Sequence, residues 1–220
     1  MLVSDQDNPT PAAPTVERFW IADTETTGLS VDDGDRIIEL GAVEVVNRTR
    51  TGRTFHSYIN PEGRRISYGS FEAHGIHDTA VKNAPLFKDV YPKFREAIGD
   101  APLVFHNAPF DIGFLNDACQ RDGLRILPNP VIDSIDTVKI LWPGQTSNLD
   151  AVAGRLDLYD AERAKKHDAI RDCILLAEVW IRMLAKRETP QSQNDLFAGG
   201  QPSKDTLTAA AVRGWSTKLL

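Results

Sequence analysis

Two acidic residues at the end of a predicted buried strand constrain this chain more than any other feature of its sequence. Side chains alternate along a strand, so one face carries Phe19, Ile21, Asp23 and Glu25. Two apolar residues followed by two acids place both carboxylates at the C-terminal end of a central strand, and ligand sites of α/β sheets lie outside such strand ends. An edge turn with solvated acids is the alternative, although Asp-Thr-Glu-Thr-Thr-Gly is more typical of a strand than of a simple turn.

Two further acids lie on the apolar faces of predicted helices. Asp111 follows a helix start at Asn107 and Pro109, and apolar residues lie three, four and seven positions after it. Asp172 shows the same pattern in the last long helix, and His167 precedes that helix. The helix dipole could explain Asp111 alone, and a lone loop histidine is usually a surface residue. The position of His167 one turn before an inward acid favours a functional role.

Inward-facing carboxylates need a positive partner, because removing an unpaired charge from water costs several kcal/mol or more. Divalent cations are the obvious partner, and hard oxygen ligands suit Mg²⁺ or Mn²⁺. The sequence therefore predicts that these acids, which lie in three separate segments, converge on bound metal.

The composition is that of a globular protein with one domain and tails. The chain has 220 residues, 41% of them hydrophobic, and a formal net charge of −6, which predicts local rather than uniform contact with nucleic acid. Cys119 and Cys173 show neither metal-ligand spacing nor a disulfide framework, so we expect a cytoplasmic location. Residues 1–14 lack the pattern of a secretory signal, and no stretch approaches the ~20 apolar residues of a membrane span.

Hydrophobic patterning predicts a meander of three strands followed by alternating strands and helices, which is an α/β fold with a mixed sheet covered by helices. The predicted strands are Phe19–Asp23, Ile37–Val46, Thr54–Ile59, Leu103–Phe105 and Val131–Ile132, with a turn over Asn47–Gly52. The predicted helices are Pro85–Ile98, Asn107 to about Arg121, a Ser134-capped helix to Leu141, Ser147 or Asn148 to about Leu156, and an Asp168-capped helix to about Lys186. Pro61–Asp78 is predicted as a loop with a helical turn near Phe71. We expect a disordered lead-in over residues 1–16, a domain over 17–187 and a flexible tail over 188–220.

Five motifs, taken in order, resemble the DEDDh branch of the 3′–5′ exonucleases, and within it the epsilon proofreading subunits of bacterial DNA polymerase III. They are Asp23–Leu29, Arg36–Val46, His74–Ile76, His106–Phe114, and His167 with Asp172. The resemblance covers about residues 17–186 and implies a ribonuclease H-like sheet of five strands.

The resemblance also implies roles for individual residues. Two divalent cations, Mg²⁺ or Mn²⁺ and ~3.5–4 Å apart, would be bound by Asp23, Glu25, Asp111 and Asp172, with His167 as general base. The pocket for the 3′-terminal nucleotide would be lined by Glu25, Gly28, Leu29, His74, Asn107 and Phe110. A base must be neutral to accept a proton, and the pKa of a free histidine is about 6.5, so activity should rise with pH through that region.

One segment departs from the pattern of the close relatives, which carry an acid in a Pro-Glu-Ala stretch before the His-Gly-Ile loop. This chain has Tyr68–Ala73 there, with its acid displaced to Glu72, so we do not assign Glu72 a contact with the 3′-hydroxyl. Phe71 and Phe110 are candidates to stack on frayed bases, or are plain core residues. A basic cluster beside His167, formed by Arg163, Lys165 and Lys166, could meet phosphates or simply be solvated.

The polar tail contains a short peptide that resembles those by which replication proteins bind the bacterial sliding clamp. Its anchors would be Gln193, Leu196 and Phe197, and the alternative is a flexible tail without a partner. Beyond it, Ser203–Leu220 could form a short amphipathic helix with Trp215 exposed, which suggests a partner. The family implies the alpha subunit of DNA polymerase III.

Together these features predict a metal-dependent 3′–5′ exonuclease, monomeric in isolation, that removes nucleotides from a single-stranded or frayed 3′ DNA end during replication proofreading. An exonuclease of RNA or short oligoribonucleotides is the nearest alternative, because the catalytic residues do not separate the two substrates. A non-catalytic subunit that bridges clamp and polymerase is a weaker alternative, since all five catalytic positions are intact.

Overall fold

The computed structural model of the chain describes residues 16–158 and 167–188. Its centre is a five-stranded sheet in the order β3-β2-β1-β4-β5. The strands are β1 (Arg18–Thr26), β2 (Ile37–Val46), β3 (Thr49–Tyr58), β4 (Leu103–Phe105) and β5 (Val131–Asp133). β1 pairs antiparallel with β2 and parallel with β4, so the predicted mixed sheet with β1 at its centre is confirmed.

The predicted start of the third strand was wrong by five residues. Asn47 and Arg48 both adopt positive φ, at 48° and 60°, and form a two-residue hairpin turn, so β3 begins at Thr49 instead of Thr54. Most of β3 is exposed at the sheet edge. Its first residues are polar because they face solvent, which is why hydrophobic alternation did not reveal them.

Seven helices lie within the described residues. They are α1 (Tyr68–His74), α2 (Asp78–Val81), α3 (Phe87–Ile98), α4 (Ala108–Arg121), α5 (Ser134–Leu141), α6 (Leu149–Arg155) and α7 (Ala169–Arg187). Two predictions need correction. The turn near Phe71 is a regular helix, because Ser67 caps its start and Gly75 ends it at φ 64°. The cap of α5 is Asp133, whose carboxylate accepts from the Ile135 N–H, while Ser134 is the first helical residue.

The sheet has a hydrophobic core on each face. Strand alternation sends Trp20 and Ala22 of β1 into a core with α3 and α4, and sends Ile21 into a second core with α5, α6 and α7. Asp23 and Glu25 continue the Ile21 face beyond the second core. The sheet therefore delivers both carboxylates to the side that α7 covers.

None of the described helices is both long enough and apolar enough to cross a membrane. The predicted lead-in over 1–16 and the predicted tail over 188–220 fall almost entirely outside the described residues, which include only Val16 and Glu188 from them.

Candidate active site

Three carboxylates from β1 and α7 come together at the end of the central strand. Oxygen atoms of Asp23, Glu25 and Asp172 lie within 4.8 Å of one another. Asp172 is buried, and the two strand acids are half-buried. All three offer the hard oxygen ligands that Mg²⁺ and Mn²⁺ prefer, so the cluster fits a divalent cation.

Asp111 is fixed against the same strand from the other side. Its Oδ1 accepts hydrogen bonds from the N–H and the hydroxyl of Thr24, at 3.0 and 2.7 Å. Thr24 lies between Asp23 and Glu25, so Asp111 sits beside the cluster rather than in solvent at a helix end. The preceding Asn107 takes a left-handed conformation with φ 72°, and its N–H donates to Asp133. That turn directs the start of α4 towards β1.

His167 reaches the cluster from the segment before α7. Its Nδ1 lies 3.0 Å from Oδ2 of Asp172, and its N–H donates to the carbonyl of Ala73 at the end of α1. When Asp172 is ionised its carboxylate only accepts, so this contact then places a proton on Nδ1 and leaves the basic lone pair of a neutral ring on Nε2. The His167 side chain is 41% exposed. The imidazole therefore joins the carboxylate cluster to solvent.

The start of α7 is fixed by carboxylates. Asp168 accepts from the N–H groups of Ile170 and Arg171, as expected for a cap. The N–H of Ala169 donates instead to Oε2 of Glu39 on β2, 130 residues away. A Cβ added to Gly41 would lie 2.9 Å from the Ala169 carbonyl carbon, so α7 is seated directly on β2.

Sequence reasoning assigned no role to Glu39, although it lies within a motif that we recognised. Glu39 is opposite Glu25 in the β1–β2 register and is buried, and its Oε1 is 2.6 Å from Nε2 of His56. The available signal was an acid within a mostly apolar strand, which marks a buried carboxylate that needs partners. Those partners could not be named, because they come from β3 and α7.

The charges of the cluster oppose one another. Burial raises the pKa of Asp23 well above its ordinary value, and the negative charges of Asp111, Glu25 and Asp172 raise it further. Burial and the charge of Asp172 raise the pKa of Glu25 to about 8. Burial raises the pKa of Asp111 to about 7, although the hydrogen bonds from Thr24 oppose this rise. Full ionisation near neutral pH therefore requires added positive charge.

The residues predicted for a nucleotide pocket surround the end of β1 but differ in exposure. Leu29 is 82% exposed, whereas His74 is 2% exposed. His74 accepts from the Ile76 N–H on Nδ1, so its Nε2 carries the proton and faces the Thr26 carbonyl at 3.3 Å. His74 therefore supports the loop after β1 from beneath.

The other predicted pocket residues also lie near this end of the sheet. Gly28 is buried, Asn107 is exposed, and the half-buried Phe110 ring packs on Phe114 at 5.0 Å between centroids. The half-buried Phe71 ring lies 4.5 Å from that of His77. Several predicted contacts lie outside the described residues: Arg163, Lys165 and Lys166, the tail anchors Gln193, Leu196 and Phe197, and the helix over Ser203–Leu220.

The sequence of this chain is similar to a known family and to individual known proteins. Residues 20–180 match the family described as Exonuclease (RNase T). The chain is 41% identical over 176 residues to the DNA polymerase III subunit epsilon of Rickettsia conorii, with 78% of this chain and 76% of the relative covered.

Two solved exonuclease structures share the fold. Exonuclease X, solved in complex with 5′ overhanging duplex DNA, has a TM-score of 0.61 and 26% identity, and 81% of this chain and 98% of that chain are covered. The nuclease domain of 3′hExo, described as a DEDDh family member bound to rAMP, has a TM-score of 0.68 and 23% identity, with 80% and 95% covered.

Proposed function

The chain belongs to the RNase T exonuclease family, and we propose that it acts in DNA replication as a proofreading 3′–5′ exonuclease. The observation that carries this proposal is the meeting of Asp23, Glu25 and Asp172 within 4.8 Å, with His167 hydrogen-bonded to the last of them. The arrangement joins a cation-binding cluster to a candidate base. Those are the two components that metal-assisted hydrolysis of a phosphodiester requires.

Four carboxylates serve as the metal-binding residues in this proposal. Asp23, Glu25 and Asp172 would hold divalent cations directly, and Asp111 adds a fourth negative charge from α4. Members of the family depend on divalent metal, and we propose two ions, Mg²⁺ or Mn²⁺, in this chain. Bound there, the metal would supply positive charge to the scissile phosphate and lower the pKa of bound water.

His167 accepts the proton of the attacking water in this reaction. Its Nδ1 is directed at Asp172, which fixes the ring and leaves Nε2 as the accepting atom. Because the His167 side chain is 41% exposed, the proton can return to solvent between turnovers. The general base and a metal ligand thus share one helix end, seated on β2 by Glu39.

The substrate is the 3′ end of single-stranded or frayed DNA. Gly28, Leu29, Asn107 and Phe110 would contact the terminal nucleotide, while the buried His74 supports the Thr26 carbonyl beneath them. The net charge of −6 favours local contact with DNA over a broad electrostatic contact with the duplex. Binding therefore relies on the metal and on a few apolar contacts at the terminus.

We place the exonuclease domain at residues 17–187 and assign the tail over 188–220 to partners. The relative from Rickettsia conorii is a polymerase III subunit, which supports the polymerase as a partner of this chain, through its alpha subunit. The peptide with Gln193, Leu196 and Phe197 is proposed to bind the sliding clamp. A cytoplasmic location and a monomeric state in isolation accompany this proposal.

Digestion of an oligonucleotide tests the activity. A 5′-labelled single-stranded DNA should shorten stepwise with Mg²⁺ or Mn²⁺ and stay intact with a chelator, and a matched RNA should be digested more slowly. Asp136→Asn, on the exposed face of α5, is the matched control for Asp23→Asn and should keep full activity. Metal-independent digestion, or loss from the 5′ end, would contradict the proposal.

Clamp binding is tested separately on the full chain. The double substitution Leu196→Ala with Phe197→Ala should abolish binding to an immobilised clamp while leaving oligonucleotide digestion unchanged. Equal clamp affinity for the variant and the wild type would contradict the proposal that this peptide binds the clamp.

A further inference from the structure

The loop between β1 and β2 presents an exposed apolar side chain shortly after the two strand acids of the carboxylate cluster. Leu29 is 82% exposed and lies four residues after Glu25. A single exposed leucine is ordinary on a protein surface. The backbone on both sides of Leu29, however, is tightly fixed, so this side chain is held in place at the site.

One carboxylate fixes this loop. Asp35 accepts from the Thr27 hydroxyl at 3.0 Å through Oδ1 and from the Ser30 N–H at 3.3 Å through Oδ2. A Cβ added to Gly28 would lie 2.0 Å from Oδ2 of Asp35, so the carboxylate packs directly against the Gly28 backbone. Asp35 therefore contacts the residues immediately before and after Leu29.

Arg64 connects the Asp35 carboxylate to a second segment of the chain. Its guanidinium donates to Oδ1 of Asp35 from Nε, at 3.0 Å. Burial alone would raise the pKa of Asp35, but hydrogen bonds from Arg64, Ser30 and Thr27 outweigh it and lower that pKa. Arg64 belongs to the segment that leads into α1.

The segment after Arg64 is joined to the loop by one more hydrogen bond. The N–H of Ser67 donates to the Thr27 carbonyl at 2.7 Å. At the other end of α1, the Ala73 carbonyl accepts from the N–H of His167. The helix thus extends from the Leu29 loop to the candidate base, and Asp35 lies where the loop and the helix segment meet.

We propose that Asp35 is a positioning residue for substrate binding, which acts through Leu29 and uses Arg64 as its charged partner. This inference rests on the proposed function, because the ligand it concerns is the 3′-terminal nucleotide of single-stranded DNA. Asp35 and Arg64 hold Leu29 in the place where its apolar surface meets that nucleotide. Neither residue forms a hydrogen bond or an ion pair with the carboxylate cluster, so they set affinity for the DNA end and leave the hydrolytic step unchanged.

A double-mutant cycle in the full chain tests this proposal, with single-stranded DNA as substrate and Mn²⁺ as the metal. Asp35→Asn and Leu29→Ala should each raise KM about tenfold, with kcat changed less than about twofold. Because Asp35 acts through Leu29, the double variant should also show a KM increase of about tenfold. Independent effects would multiply to about a hundredfold, and that result would overturn the inference.

A second pair of variants keeps the test valid if Asp35→Asn fails to fold. Arg64→Gln removes the charged partner from a side chain that is 42% exposed, and its KM effect should likewise be absent in the Leu29→Ala background. Arg65→Gln is the matched control, since Arg65 is 88% exposed and pairs with Asp78 instead. An Arg64→Gln enzyme with wild-type KM would overturn the inference but not the proposed function. A wild-type protein without exonuclease activity would overturn both.

Discussion

The β1–β2 pair carries acidic residues near both of its ends. The charges that surround these residues are positive at one end and negative at the other. Glu44, opposite Trp20 near the start of β1, is only 4% exposed. It accepts from Arg18 at 2.8 Å, from Arg53 at 2.9 Å and from Thr51 at 2.7 Å. Burial would raise the pKa of Glu44, but these partners outweigh it and lower that pKa.

At the other end of the pair, the charges around Asp23 and Glu25 are negative. Asp111, Asp172 and Glu39 all raise the pKa of both acids. Among the described residues, no Arg or Lys forms an ion pair with Asp23 or Glu25. The protein thus neutralises a structural acid with its own arginines and leaves the other acids to a cation from solution. Burial raises the pKa of the acids at both ends of the pair. The direction of the final pKa shift is therefore decided by the sign of the surrounding charge.

The largest effect is expected for Asp23→Asn, which removes an acid from the carboxylate cluster. We expect this substitution to lower the rate of DNA digestion by more than the ~10²–10⁴-fold typical of losing a general base. The same variant should unfold at a higher temperature than the wild type in chelator at pH 8, because the raised pKa of Asp23 favours the unfolded chain at that pH and asparagine does not titrate. Digestion assays and thermal unfolding check both effects, and a less stable variant would contradict the electrostatic account.

Loss of His167 should lower the rate of DNA digestion nearly as much as loss of Asp23, but it should not remove a metal ligand. His167→Ala should lower kcat by ~10²–10⁴-fold and keep Mn²⁺ binding, because the carboxylates remain. The rate of the wild type should rise with pH as the imidazole becomes neutral, and that rise should vanish in the variant. A wild-type kcat in His167→Ala would contradict the role of His167 as general base, whether or not the variant still binds Mn²⁺.

The pH dependence of stability should distinguish the two sets of acids without any measurement of catalysis. The folded-state pKa values of Glu25 and Asp111 are raised to about 8 and about 7, so the native state holds protons that the unfolded chain has already released. The free energy of unfolding in chelator should therefore fall as pH rises from about 4.5 to about 8, by a few kcal/mol on an order-of-magnitude basis. Urea unfolding at several pH values measures this slope.

Added Mn²⁺ should reverse that slope, because the metal binds the ionised carboxylates of the native state. Acids with lowered pKa values, such as Glu44, lose their stabilising effect only at lower pH, outside this window. A free energy of unfolding that increases towards pH 8 in chelator would mean that the cluster is already neutralised by the protein.

The smallest effect is expected at the paired acid. Glu44→Gln weakens the hydrogen bonds with Arg18 and Arg53, and should lower the free energy of unfolding by ~1–3 kcal/mol. Because Glu44 lies far from the end of β1, kcat and KM should match those of the wild type. Asp136→Asn on α5 is the control and should change stability by less than ~0.5 kcal/mol. A large loss of activity in Glu44→Gln with normal stability would contradict the purely structural role of Glu44.

The sequence predicted the elements whose signals are local. Ile37–Val46 is almost continuously apolar, and its bounds as β2 were predicted to the residue. β3 was placed late because its first residues are polar and lie at an exposed edge. The cap of α5 was assigned to Ser134, because serine and aspartate are both good caps and only the structure shows which one accepts from Ile135.

The long-range contacts of the site could not be predicted. The inward positions of Asp111 and Asp172 follow from helical spacing, and both residues are buried in the structure. The bond between Asp111 and Thr24 spans 87 residues, however, and that between Glu39 and Ala169 spans 130. No local pattern encodes such pairs, since they depend on how strands and helices pack.

Acids from β1, α4 and α7 are proposed to bind divalent cations together. Anomalous diffraction from a crystal soaked in Mn²⁺ would locate these ions. We predict peaks between the carboxylates of Asp23, Glu25 and Asp172, with Asp111 adjacent. An intact cluster with no manganese peak among these side chains would contradict the account.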